Sequence, residues 1–183
     1  LDAYGAHLHS GAVHALKYLE RFAELGLTYD DGASPLRGVS DSDWPTRRAT
    51  SGYVFHLGPC AISWASAEQS SISLSSCEAE IKVASAAASE AVRLADLLAE
   101  LGFPCTDPRF GVDNKAACDL AYNPGHHDKT KHIPREYFHT RKLVESHRIA
   151  VPYVSTVDNM ADFFTKPLKA DAFSTLRDRI MNI

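Results

Sequence analysis

The segment from Leu36 to Ser66 constrains the fold most. Three runs in it read as strands: Leu36 to Asp43, Ser51 to Leu57 and Cys60 to Ser66. Only Gly58-Pro59 separates the second from the third. So short a connection reaches an antiparallel neighbour, because a parallel one needs a crossover of a dozen or more residues. An antiparallel meander therefore opens the sheet. A long helix follows, from about Ser76 to Leu101, with Ala84, Ala87, Ala91, Leu94 and Leu98 as its apolar stripe. Ser75-Ser76-Cys77-Glu78 reads as a capping box at its start, and Gly102 and Pro104 stop it.

Beyond this helix, strands and helices alternate. Phe110-Gly111-Val112 is a short strand ending at Asp113. A helix of about Lys115 to Tyr122 is broken by Asn123-Pro124-Gly125, and another runs from about Ile133 to Ser146, with Pro134 tolerated in its first turn. Ile149 to Ser155 is predicted as a fifth strand. Short helices near Met160 to Phe164 and Ala170 to Met181 close the chain. The expected class is α/β: a mixed five-stranded sheet, an antiparallel meander of three plus two parallel strands, flanked by helices. Upstream, Ser10 is placed as the cap of a helix running to about Glu24, on the spacing of Val13, Leu16, Leu19 and Phe22, with Gly26 ending it. The loop from Asp30 to Pro35 is read as a boundary between a helical segment, 1–35, and a main domain, 36–183.

A chain of 183 residues buries roughly 70% of its unfolded surface, so it folds without a staple. Cys60, Cys77, Cys105 and Cys118 lack metal-finger spacing and read as reduced thiols of an intracellular protein. No run is long and apolar enough for a membrane span, and no signal peptide opens the chain. It starts at Leu1 rather than Met, as a fragment or processed product would. The net charge of −4 is unusual for a nucleic-acid binder, but Lys129, Lys131, Arg135, Arg141, Lys142 and Arg148 gather between His126 and Arg148. A local basic face on an acidic protein fits an enzyme that grips phosphates and holds cationic metals elsewhere.

Four acids stand at the ends of elements. Asp41 lies towards the end of the first strand, Glu80 in the first turns of the long helix, Asp113 after the fourth strand, and Asp162 in the short helix after the fifth. First and fourth strands are expected as parallel neighbours in mid-sheet, with Asp41 and Asp113 side by side at their carboxyl ends. Clustered carboxylates repel unless cations are present, and oxygen ligands select magnesium or manganese.

Around these acids stand Gly38-Val39-Ser40-Asp41-Ser42-Asp43-Trp44, Thr46 to Phe55, Ile62-Ser63-Trp64 with Gln69, Leu74 to Glu80, Val112-Asp113-Asn114-Lys115, Thr130-Lys131-His132-Ile133 with Arg135 and Tyr137, and Met160 to Leu168. Together these motifs resemble the ribonuclease H domain of Copia-type retrotransposon polyproteins. Order and spacing hold from about Arg37 to the end. Residues 7–29 resemble the tail that joins reverse transcriptase to this domain.

The resemblance implies a ribonuclease H-like fold and two-metal hydrolysis of the RNA strand of RNA–DNA hybrids during reverse transcription. It carries the catalytic and metal-binding carboxylates onto Asp41, Glu80, Asp113 and Asp162, with two Mg2+ or Mn2+ ions as cofactors. Asp43, two residues from Asp41, faces the same side of the strand and competes with it. Glu78 competes with Glu80 but already has the capping box to serve. Substrate contacts are expected from Arg47, Arg48, Ser76, Asn114, Lys129, Lys131, His132 and Arg135. His126, His127, Asp128 and His132 are too loosely spaced to favour zinc, and phosphate contact by their lysine neighbours is preferred. Trp44 and Trp64 are expected in the core.

The partners implied are the hybrid and the reverse transcriptase domain of the same polyprotein, in a cytoplasmic particle or the nucleus. The alternative is a domesticated, non-catalytic copy serving as a structural subunit of a larger assembly, in an organelle. Ile81, where the family has tyrosine, is expected to change packing only, and Pro45 stands where a small residue is usual. No histidine lies between Ser155 and Asp162, where related ribonucleases H often carry one, and this keeps the alternative open. A different metal nuclease on the same fold is the third reading.

Overall fold

The computed structural model describes residues 3–30, 35–44, 48–123 and 135–183. Helix α1 (Ala3–Arg21) comes first. Strands β1 (Leu36–Asp43), β2 (Thr50–Leu57) and β3 (Cys60–Glu68) then form the expected meander. Gly58 has φ of 64° at the β2–β3 turn, a left-handed conformation that glycine adopts without a steric penalty. Helix α2 (Ser76–Glu100), strand β4 (Arg109–Val112), and helices α3 (Lys115–Tyr122), α4 (Arg135–Glu145), α5 (Asp162–Thr165) and α6 (Ala170–Met181) follow. β4 pairs in parallel with β1, giving the order β3-β2-β1-β4 with β1 inside the sheet.

The sheet has four strands among the described residues, not five. The segment expected as the fifth does run parallel to β4. Phe110 N donates to Ala150 O at 3.1 Å, Val112 N to Pro152 O at 3.1 Å, and Val154 N to Val112 O at 3.0 Å. Ala150 N also donates to Pro108 O at 3.0 Å, but between the Ala150 and Val154 donors stands Pro152, which has no N–H to give. The ladder is reduced to two isolated bridges, Arg109 to Ala150 and Val112 to Tyr153.

Two further expectations need correction. α1 begins at Ala3 and ends at Arg21, so Ser10 lies inside the helix rather than capping it. Ala3, Ala6 and Leu8 favour helix and no proline separates them from Ser10, so nothing stops the helix from starting earlier. Trp44 and Trp64 are not core residues, being 46% and 49% exposed. Trp44 lies just past β1, where its Nε1 donates to Ser73 O at 2.9 Å. Trp64 sits on the edge strand β3.

The sheet is packed on both faces. On one side Leu36, Phe55, Phe110 and Val112 meet Ile81, Ala84, Ala87, Ala88 and Ala91 of α2, with Ala117 and Leu120 of α3 and Val144 of α4. The small alanine side chains let α2 lie close to the sheet and also favour helix. Ile81, at the position where a tyrosine is usual in the resembled family, packs in this core. On the other side Val39, Val54 and Ala61 meet Ala161, next to α5, and Ile180 of α6. The carboxyl ends of β1 and β4 are therefore reached by α2 from one face and by α5 from the other.

Candidate active site

Ser40 of β1 pairs with Val112 of β4, so Asp41 and Asp113 leave adjacent strands one step further on. Asn114 then caps α3 by accepting from Ala117 N at 3.1 Å, which turns the chain away directly behind Asp113. Asp162 opens α5 on the opposite face. One carboxylate oxygen from each of Asp41, Asp113 and Asp162 lies within 4.8 Å of the others.

Three contacts bring α5 this close. Gly52 is the cross-strand partner of Asp41. A Cβ at Gly52 would stand 2.7 Å from both Phe164 Cβ and Thr165 Cγ2, so only a hydrogen fits there. Thr165 Oγ1 donates to Asp41 Oδ2. Asn159 Nδ2 donates to Ser40 O, and Asn159 Oδ1 accepts from Ala161 N, one residue before Asp162.

Glu80 approaches from α2. Its Oε1 accepts the Ser42 amide at 3.1 Å, while its Oε2 is buried with no hydrogen-bond partner. Burial, then the charges of Asp41 and Asp113, push this carboxyl up to about 9. Burial also raises Asp41, against the hydrogen bond from Thr165 and the charge of Lys166. Lys166 Nζ lies 2.8 Å from Asp162 Oδ1 and 3.7 Å from Asp41 Oδ2.

The four acids anticipated from the sequence thus meet at one end of the sheet, with Glu80 beside the aspartate triad. Asp43 is not part of the triad. Glu78 serves the helix start: Ser75 Oγ accepts from Glu78 N at 3.1 Å, and Glu78 Oε2 accepts from Leu74 N at 2.8 Å. Its Oε1 pairs with Lys82 at 2.9 Å. Ser76 is exposed at the first turn of α2, and Arg48 is exposed before β2. Arg135 begins α4. Arg47, Lys129, Lys131, His132 and the His126-His127 pair lie outside the described residues.

Gln69, Asn159, Thr165 and Lys166 were not anticipated as part of the site. Gln69 is buried, and its Nε2 donates to Ser51 Oγ at 2.9 Å, Ala79 O at 3.0 Å and Ser42 Oγ at 3.3 Å. It ties together β1, β2 and α2 next to Asp41 and Glu80. Gln69, Thr165 and Lys166 fall within the recognised motifs, which was the available signal. Asn159 had none.

The donor set suits a hard divalent cation. Three converging carboxylates accept hydrogen bonds or bind cations, and the unpartnered Oε2 of Glu80 offers a fourth oxygen beside them.

No family model matches the chain. It is 36% identical over 171 residues to the retrovirus-related Pol polyprotein from transposon RE1 of Arabidopsis thaliana, covering 90% of this chain and 12% of that protein. The chain thus spans about an eighth of the length of this relative. Among solved structures it is similar to the N-terminal RNase H domain of rv2228c from Mycobacterium tuberculosis, with a TM-score of 0.54 and 16% identity over 79% of this chain and 97% of that one. It is also similar to the foamy viral protease-reverse transcriptase in complex with an RNA/DNA hybrid, with a TM-score of 0.50 and 14% identity, covering 75% of this chain and 21% of that one. At such identities the structural likeness speaks for the fold, which is ribonuclease H-like.

Proposed function

We propose that this chain, which belongs with the retrovirus-related Pol polyproteins of Copia-type transposons and has a ribonuclease H-like fold, hydrolyses the RNA strand of RNA–DNA hybrids. The observation that carries the reading is the convergence of Asp41, Asp113 and Asp162, with Glu80 alongside, at the carboxyl ends of β1 and β4. Asp41, Glu80, Asp113 and Asp162 would hold two Mg2+ or Mn2+ ions. Such ions, when bound, activate a water and stabilise the leaving oxygen of a phosphodiester.

The chain's own residues prepare that chemistry. Asn159, Gly52 and Thr165 keep Asp162 and Asp41 together before any ligand arrives. Gln69 and the Ser42 amide orient the Glu80 side of the site. Substrate recognition rests on shape, 2′-hydroxyls and phosphates rather than base sequence, through Arg47, Arg48, Ser76, Asn114, Lys129, Lys131, His132 and Arg135. Residues 1–35 serve as the connection to a reverse transcriptase domain, and 36–183 as the nuclease domain.

The test is cleavage of a labelled hybrid with and without magnesium, by the wild-type chain and by Asp113→Asn. The expected result is magnesium-dependent cleavage that the substitution abolishes while the circular dichroism spectrum is kept. A fully active Asp113→Asn protein would overturn the site assignment. A wild-type chain that binds hybrid but never cuts it would favour the structural-subunit reading.

A further inference from the structure

Lys166 brings a positive charge into the carboxylate cluster, and the backbone keeps it there. α5 ends at Thr165, and Lys166 is extended, with φ of −143° and ψ of 154°. Pro167 follows it, and a residue before proline is steered to this region. From that position Nζ reaches Asp162 Oδ1 at 2.8 Å and Asp41 Oδ2 at 3.7 Å. These are two of the three carboxylates that converge within 4.8 Å.

An ammonium and a divalent ion repel strongly when both lie within a few ångströms of the same oxygens. Both also draw on the same lone pairs. The lysine has a way out: its side chain is 32% exposed, against 6% for Asp41, and its flexible four-carbon stem can swing to solvent. A rigidly enclosed cation would have no such exit.

We propose that Lys166 is the internal counter-ion of the carboxylate cluster, holding the acids together in the metal-free protein and leaving their oxygens when divalent ions load. The inference rests on the metal-centre reading above. It assigns Lys166 a positioning role in the free state and makes it a competitor that sets how much metal the site needs.

Lys166→Gln and Lys166→Arg in the 183-residue chain separate the possibilities. Without metal, Lys166→Gln should melt several degrees below wild type, and Lys166→Arg, which keeps the charge, close to it. By calorimetric titration, Lys166→Gln should bind Mn2+ roughly fivefold more tightly than wild type or better. In the wild-type chain, 15N-lysine NMR should show an exchange-protected Lys166 ammonium in EDTA that is lost at saturating Mg2+. An ammonium signal that persists at saturating Mg2+ overturns the displacement, and equal Mn2+ affinities overturn the competition. A metal-free melting temperature unchanged by Lys166→Gln overturns the counter-ion role. A wild-type chain that takes up no Mn2+ at all is a different failure, that of the metal centre itself.

Discussion

The side-chain amide of Asn159 donates to the main-chain carbonyl of Ser40 at 3.0 Å, joining positions 119 residues apart. Asn159 is only 1% exposed, so neither group has water as a substitute. The bond fixes the segment leading into α5 against β1, one residue before Asp41. Replacing Asn159 by Ala removes this buried hydrogen bond and should cost ~1–3 kcal/mol of stability. Urea unfolding measures that loss. Hybrid cleavage measured under folded conditions should fall as well, because Asp162 is no longer held opposite Asp41. Unchanged cleavage would show that α5 is positioned without this bond.

Gly52 makes the same point through sterics. An added methyl would sit 2.7 Å from Phe164 Cβ, an atom fixed by its own backbone. Gly52→Ala should therefore push α5 off β2, lowering the melting temperature and weakening metal uptake. Gly58→Ala is the control, because its strain is confined to the β2–β3 turn. It should cost stability while leaving metal affinity near wild type.

Much of this arrangement was readable in the sequence. Tight turns and element ends placed Asp41 and Asp113 on neighbouring parallel strands, and the Ser75-Glu78 box separated Glu78 from Glu80. What escaped was set by distant partners. Gln69 reaches Ser42 across 27 residues, and no local pattern announces such a bond. Lys166 and Thr165 stood in a recognised motif, yet their closeness to Asp41 depends on α5 folding back over Gly52. The fifth strand failed for a local reason, since Pro152 outweighs the β-branched residues around it. Trp64 was misplaced because residue type alone does not say which face of an edge strand meets solvent, and Trp44 because it falls just past the end of β1.

Glu80 predicts a pH dependence. Its carboxyl ordinarily titrates near 4.5, and in the fold it is raised to about 9. The folded chain therefore holds a proton that the unfolded chain releases, and the associated stability drains away as pH rises through this interval. The metal-free melting temperature should fall from about pH 5 to about pH 9, and Glu80→Gln should flatten most of that fall. Asp41 is raised in the same direction, by burial first, and adds to the fall. Magnesium should act in the opposite sense, because metal binding needs the deprotonated carboxylate. Thermal melts with EDTA and with magnesium across this range check both halves; a flat wild-type profile in EDTA would contradict the burial of Glu80.

The basic stretch between His126 and Arg148 makes the last prediction, about how hybrid is held. Lys129 and Lys131 lie outside the described residues, but they precede α4, with Arg135 at its start. A protein with a net charge of −4 needs such local positive charge to approach a polyanion. Each lysine that meets a phosphate releases counterions, so affinity falls linearly as salt rises on logarithmic axes. Replacing Lys129 and Lys131 by Ala should flatten that line by roughly one to two units of slope. Binding should weaken about equally for hybrids of different sequence, because phosphates carry no base information. Catalysis at saturating hybrid should stay near wild type, since a phosphate contact made equally in the ground and transition states changes binding alone. Fluorescence anisotropy over a salt series, for wild type and the double variant, makes the measurement. Identical slopes would remove this stretch from the binding surface and leave the exposed Arg48 and the first turn of α2 as the places to look for phosphate contacts.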